Sequence, residues 1–198
     1  MKTKSVICSM ISSKKDKIIN DPIYGFITLD GGIITKLIDH PYFQRLRRIS
    51  QLGLSYLVYP GANHSRFQHA IGCMHLMTKA IHQIRKKGHS ISEKESEALK
   101  IAILLHDIGH GPFSHALENS IATGLSHEDI SVLFMKKLNN EFNGKLSLAI
   151  KIFNNTQNIE NTENDNESNK AADKIITKNI VFCLSENENV LNPYSVTR

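Results

Sequence analysis

The stretch that decides the fold is LLHDIGHGPFSHALE, Leu104 to Glu118, where an apolar run ends in three histidines and two carboxylates within fifteen residues. A helix that only packs has no use for that set. Ser92 and Glu95 are spaced as a capping box, and the helix they start runs through Ala98, Ile101, Ala102 and Leu105 to His106. Gly109, Gly111 and Pro112 then break it. His106 and Asp107 therefore stand where the chain turns, and both side chains can face one point. Imidazole nitrogen with carboxylate oxygen suits a borderline divalent metal such as Mn, Fe, Co, Ni or Zn. The competing reading is a histidine capping the helix end and a solvated aspartate. The clustering weighs against it: His110, His115 and His127 follow, Glu118 lies one turn after His115, and a Ser126–Asp129 cap places His127 in the first turn of a further helix.

Outward from this stretch the chain reads as a mostly α-helical domain with a short N-terminal β-hairpin. Residues 17–35 (KIINDPIYGFITLDGGIIT) carry β-branched and aromatic residues around Asp-Pro and Asp-Gly-Gly breaks, a hairpin pattern. Pro41 opens a helix whose apolar positions are Phe43, Leu46 and Ile49 and which Gly53 ends. The segment SYLVYPG is read as extended. From Arg66 to about Lys87, Phe67, Ala70, Ile71, Met74, Met77, Ile81 and Ile84 form one apolar stripe. Further helices are expected at about 113–122, 127–140 and 145–153. Residues 154–170 hold seven Asn, four acids and a single isoleucine, too little apolar surface to order themselves, and read as a disordered linker. The expected organisation is an N-terminal extension (1–16), a core (17–153), the linker, and a C-terminal segment (171–198).

Composition bounds the function classes. With 198 residues, 40% of them hydrophobic, the chain suits one domain with a substantial core. A formal charge of +5 fits a polyanionic partner; a nucleic acid is compatible with it, but nothing else in the sequence indicates one. Cys8, Cys73 and Cys183 are odd in number, far apart and in no CxxC pair, which argues against a disulfide framework and for a reducing, cytoplasmic location. The N-terminal apolar stretch is too short and interrupted for a signal peptide, and no run is long enough for a membrane span.

HSRFQHAIG (64–72), the stretch at 104–118 and SHEDIS (126–131), in this order, resemble the HD-domain metal-dependent phosphohydrolases, a family of helical bundles. NDPIYGFI (20–27) and HPYFQRLRRISQLG (40–53) are similar to the dGTPase-like branch, the deoxynucleoside triphosphate triphosphohydrolases, including its animal sterile-alpha-motif members. The resemblance implies roles position by position. His69, His106 and Asp107 match metal ligands. His115 and Glu118 match a catalytic pair at i and i+3, with His110 and His127 lining the same pocket. Arg66 matches a phosphate contact, with surface charge as its rival reading. Gln51 and Leu52 match deoxyribose contacts: glutamine for the 3′-hydroxyl, leucine excluding a 2′-hydroxyl, though Leu52 reads equally well as ordinary core. Lys17, Asn20, Asp39, Gln44, Arg45 and Arg47 match positions that hold an activating guanine nucleotide at a subunit interface, so a homo-oligomer is implied; Asp39 also reads as a cap for the helix at Pro41. The implied cofactor is one divalent metal, with Mg accompanying the nucleotide.

The family draws its fourth ligand from a later helix, in a motif like D-x-D-[KR]-x-D-Y, and no such motif follows Phe153. Asp173, in AADKI, is the nearest candidate. Three functions therefore stay open: hydrolysis of deoxynucleoside triphosphates to deoxynucleoside and triphosphate, a shortened HD domain that binds nucleotide or partner subunits without turnover, and an HD phosphohydrolase acting on another nucleotide phosphoester.

Overall fold

A computed structural model of the protein describes residues 16–113 and 126–160, the last three of these as backbone only. The expected helix at about 113–122, and with it His115 and Glu118, lies outside the described residues, as do Asp173 and the C-terminal segment. The described chain is mostly helical and opens with the hairpin read from the sequence. Strand β1 (Lys17–Asp21) pairs antiparallel with β2 (Gly25–Leu29), Lys17 opposite Leu29 and Asp21 opposite Gly25. Asp21 makes the turn itself: its Oδ1 accepts from the backbone N–H groups of Ile23 (2.8 Å) and Tyr24 (2.9 Å). Ile27 and Leu29 are buried against the helices.

The hairpin ends sooner than its β-branched composition suggested. Helix α1 (Ile33–Asp39) follows at once and buries Ile34, Leu37 and Ile38, an i, i+3, i+4 set that overrides the strand preference of Ile33-Ile34-Thr35. The helix opened by Pro41 is also shorter than the expected run to Gly53. It comprises α2 (Pro41–Gln44) and a 3₁₀ turn over Arg45–Arg48, and by Ile49 the chain is extended. The cause is a competing backbone pairing. Ile49 O accepts from Arg66 N (2.9 Å), Gln51 N donates to His64 O (3.1 Å), and Ser50 forms a bridge with Ser65. The cap of α2 is His40, whose Nδ1 accepts from Tyr42 N, and not Asp39. The segment read as extended begins instead with a 3₁₀ turn over Ser55–Leu57.

The core is a helical stack. Helix α3 (Arg66–Lys86) turns its apolar stripe onto α4 (Glu93–Leu105), and α4 packs in turn against α6 (Ser147–Glu160), which also meets α5 (His127–Glu141). Each of α3, α4 and α5 starts with a capping box: Ser65 with Gln68, Ser92 with Glu95, Ser126 with Asp129. Helix α6 continues through Glu160, so the first residues of the Asn-rich stretch are helical; Thr156 is buried there, its hydroxyl donating to Ile152 O. Among the described residues, no helix is long and apolar enough to cross a membrane.

Candidate metal centre

Helix α3 carries Arg66 and His69 one turn apart on its buried face, and α4 runs beside it to end at His106. The two helices thereby bring the predicted ligands together. His69 Nε2 lies 3.3 Å from His106 Nε2 and 3.8 Å from Asp107 Oδ2, and His106 Nε2 lies 3.3 Å from Asp107 Oδ1. An ion with bonds of about 2.1 Å to each donor spaces them by roughly 3.0–3.4 Å, so these three groups fit a divalent metal with little movement. The orientation of His106 is fixed from behind, since its Nδ1 is 2.6 Å from Ile103 O, which leaves Nε2 toward the other donors.

The electrostatics favour the same use. Burial, then the neighbouring His106, lowers His69 to about 4 against the opposing pull of Asp107, so at neutral pH its ring keeps a lone pair for a metal. Burial pushes the Asp107 carboxyl up, but His106, a hydrogen bond from His110 and His69 outweigh it and hold the group well below the usual carboxylate range. Arg66 adds a buried ion pair, Nη1 to Asp107 Oδ2 at 2.6 Å. The guanidinium expected on a phosphate is thus turned onto the carboxylate, and being buried it is no surface charge. With Arg66 balancing Asp107, the centre is neutral before a cation arrives, so a bound divalent ion adds a net positive charge suited to a polyanion.

The turn after Asp107 is held by α5. Ser131, fully buried, donates to His106 O (2.8 Å) and accepts from Gly109 N (2.9 Å). The approach is so close that a Cβ on Gly109 would sit 2.2 Å from His127 O and 2.5 Å from Ser131 N. This packing stacks the rings of His110 and His127 with centroids 4.0 Å apart, so the two histidines predicted for one pocket are neighbours. His110 Nε2 is 3.4 Å from Asp107 Oδ1, and burial lowers its pKa.

Gln51 and Leu52 lie in the loop after the Ser50–Ser65 bridge. Gln51 Oε1 is buried with no protein donor, and Leu52 is 49% exposed, which removes the core reading of that leucine. Gly53 brings the loop to Phe113, just beyond the HD turn; a Cβ there would lie 3.6 Å from the Phe113 ring. The positions matched to an activating nucleotide divide. Lys17 pairs with Asp39 on the surface, Asn20 is exposed, and Gln44 accepts from Arg47, whose guanidinium lies over Phe67. Arg45 points the other way, donating to Ile108 O and to His110 O (2.8 Å) and so bracing the HD turn.

One group at the centre escaped the motif reading. Cys73 Sγ is 3.6 Å from His69 Nε2, and the donor atoms of His69, Cys73 and His106 all lie within 4.8 Å of one another. Its signal in the sequence was its place one helical turn after His69.

The HD domain family profile matches residues 66–184. The deoxynucleoside triphosphate triphosphohydrolase SAMHD1 of Homo sapiens is 42% identical over 132 residues, 63% of this chain and 21% of that protein. A putative HD domain-containing protein of Acanthamoeba polyphaga mimivirus is 36% identical over 160 residues, 69% of this chain and 35% of that one. The crystal structure of a phosphohydrolase from Bacteroides thetaiotaomicron matches with a TM-score of 0.69 and 56% identity, covering 71% of this chain and 35% of that one. The chain thus spans a fifth to about a third of the lengths of these three relatives. Two helices that converge on a His, His-Asp centre, matched by that profile over more than half the sequence, place this chain in the HD-domain family, with the HD phosphohydrolase fold.

Proposed function

We propose that the protein is a metal-dependent phosphohydrolase that cleaves deoxynucleoside triphosphates to deoxynucleoside and triphosphate. The observation that carries the reading is the convergence of His69, His106 and Asp107 within 3.3–3.8 Å, backed by Arg66. When bound, a divalent metal supplies Lewis-acid stabilisation of the charge that develops on the attacked phosphate. The protein's own groups would do the rest. The stacked rings of His110 and His127 would line the substrate pocket beside Asp107. By the family resemblance, His115 with Glu118 would move the proton that the leaving oxygen requires. Gln51 supports the nucleoside assignment: its buried, donor-less Oε1 suits a sugar hydroxyl, and the neighbouring Leu52 side chain would crowd a 2′-hydroxyl, which is how a pocket separates deoxy- from ribonucleotides. The human relative's name supports the same substrate class. Asp173 is proposed as a further carboxylate for the metal. Lys17, Asn20, Asp39, Gln44 and Arg47 form the proposed activator surface at a contact between copies, with Arg45 serving as its inner brace.

The test is incubation of the protein with each deoxynucleoside triphosphate and Mn²⁺, with products separated by chromatography. Triphosphate and deoxynucleoside are the expected products. Inorganic phosphate would assign the fold to another phosphoester, and nucleotide retained without turnover would make it a binding domain.

A further inference from the structure

The metal centre joins two parts of the chain. Arg66 and His69 stand on α3, whereas Asp107 and His110 follow the end of α4, where helical hydrogen bonding has stopped. The carbonyls of this turn need partners from elsewhere. Ser131 donates to His106 O, and the Arg45 guanidinium takes two more: Nη1 donates to His110 O (2.8 Å) and Nη2 to Ile108 O. These acceptors flank Gly109, so one planar fork fixes both sides of the bend. Arg45 is itself fixed at its base. It opens the 3₁₀ turn Arg45–Arg48 beside the fully buried Leu46, and Phe43 meets Phe67 of α3 edge-on, with centroids 5.3 Å apart. Directly after the turn, Ile49 O accepts from Arg66 N (2.9 Å), the first residue of α3. Phe134 of α5 lies under the guanidinium, with Cζ 5.0 Å from the ring centroid. Arg45 Nε is buried without an acceptor, so the polar contacts of the side chain are given over to the two carbonyls.

We infer that Arg45 is a positioning residue of the metal centre, tying the start of α3 to the HD turn and so setting where Asp107 and His110 stand relative to His69. The inference rests on the metal-centre reading given above, and it takes Arg45 away from the nucleotide contact that the sequence resemblance implied. The spacing at stake is the 3.8 Å from His69 Nε2 to Asp107 Oδ2, which joins α3 to the turn. The Arg66 pair holds the Asp107 carboxylate, while the Arg45 fork holds the backbone that carries it. Lysine cannot replace the fork, because an ammonium is a point donor on a flexible stem and lacks the rigid, planar pair of donors that serves both carbonyls at once. Groups that orient metal ligands typically contribute roughly 10–100-fold to affinity; acting through the backbone, Arg45 belongs at the lower end.

The test is Mn²⁺ binding to the full-length protein, measured by titration calorimetry without nucleotide, in the wild type, Arg45→Lys, Arg45→Ala and Arg48→Ala. Arg48 lies in the same 3₁₀ turn and is exposed, so truncating it controls for disturbance of the turn. Both Arg45 variants should bind Mn²⁺ roughly 10-fold more weakly, and Arg48→Ala should stay within about twofold of the wild type. Added methylguanidinium should restore affinity to Arg45→Ala. Circular dichroism checks folding, and Arg45→Lys decides if Arg45→Ala does not fold. With a deoxynucleoside triphosphate and saturating Mn²⁺, kcat should fall in the Arg45 variants at unchanged KM. A rise in KM alone would make Arg45 a nucleotide contact and overturn the inference. Equal Mn²⁺ affinity in folded Arg45→Lys and the wild type would also overturn it, and would leave the metal centre standing. Weaker Mn²⁺ binding in the Arg45 variants of a protein that turns over no nucleotide would sustain the inference and overturn the proposed function. A folded wild type that binds no Mn²⁺ would overturn both.

Discussion

Replacing Gly109 with alanine tests how the HD turn is held. The added methyl would sit 2.2 Å from His127 O, 2.5 Å from Ser131 N and 2.7 Å from Ser131 Oγ. Two of these atoms are backbone, in the first turns of α5, so no side chain can swing away. Reaching ordinary contact near 3.4 Å requires the start of α5 to retreat by about 1.2 Å, which overpacked cores resist at a cost of about 1–3 kcal/mol. The same retreat stretches the two hydrogen bonds of Ser131, each worth about 1 kcal/mol. The sum, about 3–5 kcal/mol, is a large part of the stability of a domain this size. Urea unfolding followed by circular dichroism measures it, and elemental analysis after metal loading shows whether His106 and Asp107 still converge. Gly111→Ala is the control, since a Cβ at Gly111 meets nothing within 4 Å. Gly109→Ala should unfold at much lower urea and retain little metal, while Gly111→Ala stays close to wild type. Equal stability of the two variants would refute the reasoning.

Other outcomes follow from the same geometry. Ser131→Ala strands Gly109 N and His106 O in a buried site and should cost about 1–3 kcal/mol by urea titration, with Ser131→Thr less harmful than Ser131→Ala if the hydroxyl is what matters. His106→Ala should remove most bound metal from a folded protein; unchanged content by elemental analysis would remove the centre. In the metal-free protein, the folded value of about 4 for His69 lies below its ordinary 6.5, so the unfolded chain binds more protons between those values. Stability should therefore hold above about pH 6.5 and fall as pH drops toward 4, by up to about 3 kcal/mol from this group. Urea midpoints at pH 7 and 5 should show the fall, and His69→Gln should flatten it.

The parts of the fold that sequence discloses are those set by local periodicity and capping. The stripe of α3 from Phe67 to Ile81 and the Ser92–Glu95 and Ser126–Asp129 caps belong to single helices and carry their own signals. Helix α1 was hidden because Ile33, Ile34 and Thr35 favour strands, and only burial of Ile34, Leu37 and Ile38 against the rest of the molecule decides for helix. The run after Pro41 is cut short by pairing with residues 64–66, a partner no window around Ile49 contains. Within the site, His69, His106 and Asp107 were legible from an ordered motif. The partner of Arg66 was not, because a guanidinium suits a phosphate and a carboxylate equally, and helix packing makes the choice. Cys73 was legible in principle at i+4 from His69, but thiols on apolar helix faces are common core residues.

The Arg66–Asp107 pair has a consequence for anyone wishing to rebuild this centre for a different ion. Exchanging Asp107 for histidine or cysteine, the obvious route to a softer ligand set, would leave the Arg66 guanidinium buried without its counter-charge, a loss on the order of 3–5 kcal/mol before any ion is added. Trimming Arg66 first strands the carboxylate instead. Engineers therefore face one two-residue module spanning α3 and the HD turn, to be swapped in a single step or left alone.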